Sequence, residues 1–206
     1  MARKKNKASN AAFTKTKATG VVFIAPTGTV LPTGAFDELN EAFQNVGYIS
    51  TDGITWKTDT DTQTLEDMGG TTIASVISKY SETAEFTMLE VLNIDAAKLR
   101  FGSENVIETA NGGLQIDHKM PTGEKFSMVV DAVLTNGAKH RMVIPEMTVN
   151  ETSEYKQASS EALSYGVTVS LSPFDEYDGA TVREFIDFKK KNPGTVNTVA
   201  SPSSGN

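Results

Sequence analysis

The chain contains no cysteine, which excludes disulfide bridges and thiol chemistry and leaves packing and assembly to supply stability. Tryptophan occurs once and histidine twice. Without thiolates a zinc site would need both His118 and His140 plus carboxylates, and neither histidine has a ligand pattern beside it, so structural or surface roles are expected for them. Long apolar runs are missing too. The first, Val21 to Ala25, follows a basic, polar start and is too short for a signal-peptide core or a membrane span, so a soluble protein with no membrane contact is expected.

Catalytic signatures are equally absent. No Gly-x-Ser-x-Gly elbow, phosphate-binding glycine loop or dinucleotide fingerprint occurs. Asp59-Thr-Asp61-Thr-Gln63 begins like a calcium loop, but Leu65 and Glu66 leave no glycine near the sixth position, and Gly70 stands where the terminal Glu belongs. The acids are scattered and pick out no carboxylate pair, and Asn150-Glu-Thr152 is a glycosylation sequon relevant only to a secreted eukaryotic protein. The expectation is a protein that is no enzyme and holds no cofactor or metal.

What is present is β-prone, polar and unevenly charged. The 206 residues fill one domain, and only 38% are apolar, while Thr, Ser, Asn and Gly are plentiful. Nineteen basic residues oppose 26 acids, but Arg3, Lys4, Lys5, Lys7, Lys15 and Lys17 all precede the first acid, Asp37, so the remainder carries 13 against 26, or −13. Residues 1–18 therefore read as a flexible basic arm on an acidic body, 19–188 as the β-domain, and 189–206 as a flexible Pro/Ser/Asn-rich tail.

Within the domain, Thr19 to Ala25 is a first strand. Phe36, Leu39, Phe43 and Val46 recur at the helical period, with Asp37 and Glu38 near the start, and predict a short amphipathic helix. Val46 to Gly70 reads as a long polar hairpin: a strand that ends at the Asp52-Gly53 turn signal, then a Thr/Asp-rich excursion around Trp56. Thr71 to Tyr80 and Ser81 to Val91 follow as two long strands with mixed faces. Asn93 or Asp95 caps a second helix that runs through Phe101 to Gly102, with Ile94, Ala97 and Phe101 as its buried stripe. Lys125–Leu134 and Ala138–Ile144 form a hairpin across Asn136-Gly137, a signal suited to a type I′ turn, and Tyr165 to Leu171 alternates as a half-buried strand. Val182 to Phe188 is one more strand or a short helix.

Trp56 sharpens the reading. An aromatic of its size buries roughly 150–250 Å², worth about 4–6 kcal/mol if fully desolvated. A loop as polar as Thr55 to Thr64 supplies little cover, so Trp56 either caps the chain's own sandwich or sits against a neighbouring subunit.

The order of segments carries a resemblance. Ala25 to Gly70, APTGTVLPTGAFDELNEAFQNVGYISTDGITWKTDTDTQTLEDMGG, together with Phe86 to Gly102, which holds FTMLEVLN and a closing FG, resembles the major tail tube protein of long, non-contractile-tailed bacteriophages. The resemblance implies a mainly β fold, a β-sandwich or barrel with one or two short flanking helices and a long protruding hairpin. It further implies hexameric rings of this chain, stacked into a tube whose lumen conducts genomic DNA without specific binding. Tape-measure and tail-terminator proteins are the implied partners, and the implied location is the virion, after assembly in the host cytoplasm. In that family the hairpin and the terminal arms contact neighbours. The implied interface is Tyr48, Ile49, Asp52, Ile54, Trp56 and Lys57 of the hairpin with Lys4 and Lys5 of the arm. Glu82, Glu85 and Glu90 are candidates to line an acidic lumen that keeps DNA from sticking. The alternative is a surface-binding sandwich, adhesin-like or a baseplate decoration, with Tyr48 and Trp56 as carbohydrate contacts.

Overall fold

The structure, a computed structural model, describes residues 5–16 and 19–188; Lys4 and the tail at 189–206 lie outside them. Two residues of the arm form β1 (Thr14–Lys15), followed by β2 (Val22–Pro26), β3 (Gln44–Asn45), β4 (Ile49–Glu66) and β5 (Thr72–Met88). After helix α1 (Ile94–Phe101) come the short β6 (Val106–Glu108) and β7 (Leu114–Ile116), which pair with each other. β8 (Lys125–Leu134), β9 (Lys139–Thr152), β10 (Tyr165–Leu171) and β11 (Arg183–Asp187) complete the chain.

Nine strands make one antiparallel sheet in the order β3-β2-β8-β9-β10-β5-β4, with β1 also on β8 and β11 also on β9. The sheet folds over on itself as a β-sandwich. Its inward positions repeat every second residue, as a half-buried strand requires. Val22 and Ile24, Ala84, Phe86 and Met88, Met128 and Val130, and Tyr165, Val167 and Val169 all enter one apolar cluster. Helix α1 closes that cluster with Ala96, Ala97 and Leu99 buried, while Ile94 and Phe101 are half-buried against it. Asn93 is the N-cap, since its side-chain oxygen accepts from the N–H groups of Asp95 (3.0 Å) and Ala96 (3.3 Å). Gly102 ends the helix at φ +89°.

Several sequence expectations need correction. No helix forms over Phe36 to Val46. Asp37 instead accepts from the N–H and hydroxyl of Thr33 (2.8 and 2.9 Å), and Asn40 accepts from the Ala42 N–H (3.0 Å), so short polar side chains take the local backbone bonds a helix would need. Gln44 and Asn45 then join the sheet as β3. Of the apolar residues at helical spacing, Phe43 is buried on the outer face of the sheet beside Ala25, Val129 and Val143 with Leu39 against them, while Val46 enters the main core and Phe36 is exposed. Arg141 Nη1 pins that loop by donating to the carbonyls of Gly34 (3.1 Å) and Asp37 (2.8 Å), while its Nε and Nη2 hold Asp131 at 2.6 and 2.9 Å.

Asp52-Gly53 is a bulge inside β4 rather than a turn. The register jumps from Ile49 opposite Met88 to Ile54 opposite Phe86, and Gly53 takes φ +77°. The left-handed conformation that makes Asp-Gly a turn signal serves a bulge equally well. Thr72 to Met88 is one continuous strand, not two, so the long hairpin is Ile49–Met88, and it turns at Asp67 to Gly70, whose ends are closed by Asp67 N–H to the Thr71 carbonyl (3.0 Å) and Gly70 N–H to the Asp67 carbonyl (3.0 Å). The β8–β9 hairpin turns at Asn136-Gly137, but through three residues. Gly137 N–H bonds the Leu134 carbonyl (2.9 Å), Leu134 N–H bonds the Ala138 carbonyl (2.8 Å), and only Gly137 has positive φ, which excludes type I′. Residues 183–187 are a strand, which resolves the choice left open for Val182 to Phe188.

Candidate assembly interface

The distal half of the long hairpin stands free of the body. Every residue from Lys57 to Tyr80 is exposed, including Leu65 (62%), Ile73 (65%), Val76 (63%), Ile77 (63%) and Tyr80 (56%). An isolated two-stranded hairpin is marginal in water, and this one offers aliphatic side chains to solvent on both faces. Its outer strand, β4, is also the end of the sheet, so its second edge has no ladder partner among the described residues.

Residues paired across the hairpin share a face, and successive pairs alternate. Ile54/Phe86, Trp56/Ala84, Thr58/Glu82, Thr60/Tyr80 and Thr62/Ile77 point to the core side. Thr55/Glu85, Lys57/Thr83, Asp59/Ser81, Asp61/Lys79, Gln63/Val76 and Leu65/Ala74 point away from it. Trp56 is half-buried, packs on the core cluster with Ile54, and lines an open apolar groove of about 450 Å³ with Ile49, Ile54, Val130 and Met142. Asp52 lies on the same groove, as do His140 and Glu184, whose side chains pair at 2.6 Å.

The proposed interface residues therefore divide. Ile49, Asp52, Ile54 and Trp56 meet at the groove. Lys57 faces the opposite side and pairs with Asp59 (2.8 Å), with both side chains more than half exposed, a contact of little energetic weight. Tyr48 precedes β4 and is 69% exposed; its N–H donates to Glu90 (3.1 Å) and its carbonyl accepts from Leu89 N–H (2.8 Å). Lys5 is exposed on the arm.

The three candidate lumen acids do not share a surface. Glu82 is on the Trp56 side and accepts from the hydroxyls of Thr181 and Tyr80. Glu90 lies beyond β5 and holds the chain at Tyr48 and Asn93. Glu85 alone lies on the outward face, and there it joins a polar layer that no single strand's sequence reveals. Glu151, Thr168, Glu85 and Thr55 stand in one row across β9, β10, β5 and β4, and Thr148, Ser170, Thr83 and Lys57 form the next. Neither row holds an aliphatic or aromatic side chain. The Thr/Ser alternation of each strand was visible in sequence, but not which strands would be neighbours.

The buried charged groups Asp131 and Arg100 are held by partners within the fold. Burial of Asp131 would raise its pKa, yet Arg141 and Lys139 together hold it below the usual carboxylate range. Arg100 is buried on α1, donates to the carbonyls of Gly166 (2.7 Å) and Ser153 (2.8 Å), and sits over the rings of Phe101, Tyr155 and Tyr165. His118 packs against Phe101 (5.0 Å) and Tyr155 (6.3 Å). Among the described residues no group of His, Asp or Glu could hold a metal ion, and no helix is long and apolar enough to cross a membrane.

A search of curated proteins returns no match. A family profile described as Phage tail tube protein matches residues 7–191, which is most of the chain and takes in the arm from residue 7, the long hairpin and every described strand of the sandwich. This chain therefore belongs to the phage tail tube family, as a structural protein of the virion tail.

Proposed function

We propose that this protein is the repeating subunit of a tail tube, closing into hexameric rings that stack around a lumen through which genomic DNA leaves the capsid. The observation that carries the reading is the free hairpin, residues 57–80, with its exposed aliphatic side chains and a β4 edge that has no ladder partner among the described residues. The groove beside Trp56 is a second unfilled apolar surface of different shape. Two unlike, unsatisfied surfaces on one chain favour head-to-tail contacts, and head-to-tail contacts generate rings or filaments rather than closed dimers.

The polar rows on β9, β10, β5 and β4 are the proposed lumen wall. Glu85 and Glu151 against Lys57 leave one negative charge per subunit on those two rows, or about six per six-membered ring, which repel DNA phosphates at close range. Glu85 retains the lumen role in this reading, whereas Glu82 and Glu90 belong to the subunit's own structure. Tape-measure protein and tail terminator are the partners that would set tube length, and assembly would take place in the host cytoplasm.

Negative-stain microscopy of the purified protein across concentration and salt tests the reading. Rings or tubes support it. A monodisperse monomer under every condition, joined by binding of a glycan at the Trp56 groove, would instead support a surface-binding module.

A further inference from the structure

The long hairpin leaves the body at one residue. The β10 ladder ends where Leu171 faces Glu82, and past that point β4 is the ladder partner of β5 among the described residues. Burial changes at the same place: Ala84 is buried, Ser81 to Thr83 are half-buried and Tyr80 is exposed. A two-stranded ribbon running on from a wide sheet has a soft joint there, because the bonds to β10 no longer fix its direction.

A second restraint sits on that joint. Glu82 points to the core side, and its Oε2 accepts from the Thr181 hydroxyl on the body and from the Tyr80 hydroxyl (3.3 Å) on the hairpin. Hydrogen bonds to an ionised carboxylate are stronger than neutral ones, and Thr181, 5% exposed, makes its bond away from water. The loop that carries Thr181, between β10 and β11, is braced within itself. Phe174 N–H donates to the Ala180 carbonyl (3.3 Å), and Gly179 N–H donates to the Phe174 carbonyl (3.0 Å). The Phe174 ring meets Tyr177 edge-on at 5.6 Å, the Arg183 guanidinium lies 3.8 Å from the centre of the Tyr177 ring, and Val182 packs on the core cluster. Thr181 is therefore a fixed point, and Glu82 stands where the hairpin can be held to it.

We infer that Thr181 and Glu82 form a latch that sets the angle at which the hairpin leaves the subunit. With the latch closed, the root of the hairpin is held at two places, the end of the β10 ladder and Thr181. With it open, the hairpin pivots about the ladder end. Gln63 lies five residues beyond Thr58, the partner of Glu82. At about 3.3 Å per residue that is about 16 Å out, so a swing of about 20° moves Gln63 by about 6 Å. A hairpin held at one angle gives up less conformational freedom when a neighbour covers it, which favours the assembly proposed above. The latch itself acts in the dilute subunit and goes beyond that reading.

Because the chain has no cysteine, spin labels can be placed at Q63C on the hairpin and T27C on an exposed turn of the body. Pulsed electron–electron double resonance on the dilute subunit then reads the distribution of their separation. A narrow distribution is expected in the otherwise native chain. Thr181→Val keeps the shape of the side chain without its hydroxyl and should widen the distribution by several ångströms, whereas Thr181→Ser keeps the hydroxyl and should leave it narrow. Glu82→Ala removes the acceptor and should match Thr181→Val, with no further widening when the two are combined. It also carries the test should Thr181→Val fail to fold. Equal widths in the native and Glu82→Ala chains, or a Thr181→Ser chain as broad as Thr181→Val, would overturn the latch whether or not the protein forms tubes. The expected widths in a protein that never assembles would retire the tube reading and leave the latch standing.

Discussion

Ile77 separates the interface role of the hairpin from its contribution to the subunit. The residue lies on β5 opposite Thr62 and is 63% exposed, with nothing of the body against it. Full burial of an isoleucine side chain stabilises by up to about 3 kcal/mol, so the fraction still exposed offers about 2 kcal/mol to a partner. Ile77→Ser should therefore raise the concentration needed for tube growth roughly 30-fold, since about 1.4 kcal/mol corresponds to a factor of ten. The dilute subunit should be almost indifferent, changing by no more than about 0.5 kcal/mol as surface substitutions do. Pelleting of assembled material against subunit concentration measures the first quantity, and thermal unfolding of the dilute subunit measures the second. Unchanged growth would refute burial of this residue between subunits, and a fall of several degrees in the dilute subunit's Tm would show that the hairpin is anchored to its own body.

Three further perturbations probe the groove, the polar rows and the buried ion pair. Trp56→Ala should destabilise the dilute subunit by about 2 kcal/mol in urea unfolding, because the ring already packs on the core from the groove, and a loss below about 0.5 kcal/mol would place its contacts elsewhere. Glu85→Lys with Glu151→Lys should leave the subunit's fold intact and make assembled tubes retain DNA in a salt-dependent manner; unchanged retention would remove the two rows from the lumen. Asp131→Asn breaks a buried pair and should cost about 3 kcal/mol at pH 7. Because the folded-state pKa of Asp131 is depressed, its contribution is present above the ordinary carboxylate pKa and fades as pH falls through the lowered value. The gap between native and variant stability should therefore narrow below about pH 4, and a gap independent of pH would contradict the ion-pair account.

Features whose chemistry is local were legible in the sequence. Asn93 and Gly102 bracket α1 because a cap acts within four residues, and the alternation from Tyr165 to Leu171 matches the buried face of β10. Asn136-Gly137 marked its hairpin correctly, though one positive-φ residue was used where type I′ needs two. Illegible were the choices that distant partners decide. Phe36, Leu39, Phe43 and Val46 carry a helical period, but Asp37 and Asn40 bond their own loop and Arg141, over a hundred residues away, fixes it to the sheet. Asp52-Gly53 became a bulge because β5 continues past it. The row Glu151, Thr168, Glu85 and Thr55 draws on four separate strands, and Arg141 with Asp131 were two charges among many until β8 and β9 placed them face to face.

Electron cryomicroscopy of the assembled tube locates the hairpin and the polar rows within the ring. Closed rings are expected in which residues 57–80 of each subunit are covered by a neighbour and the row containing Glu85 and Glu151 faces the lumen. Rings whose hairpins project into solvent, or whose Glu85 row lies on the outer wall, would contradict this arrangement.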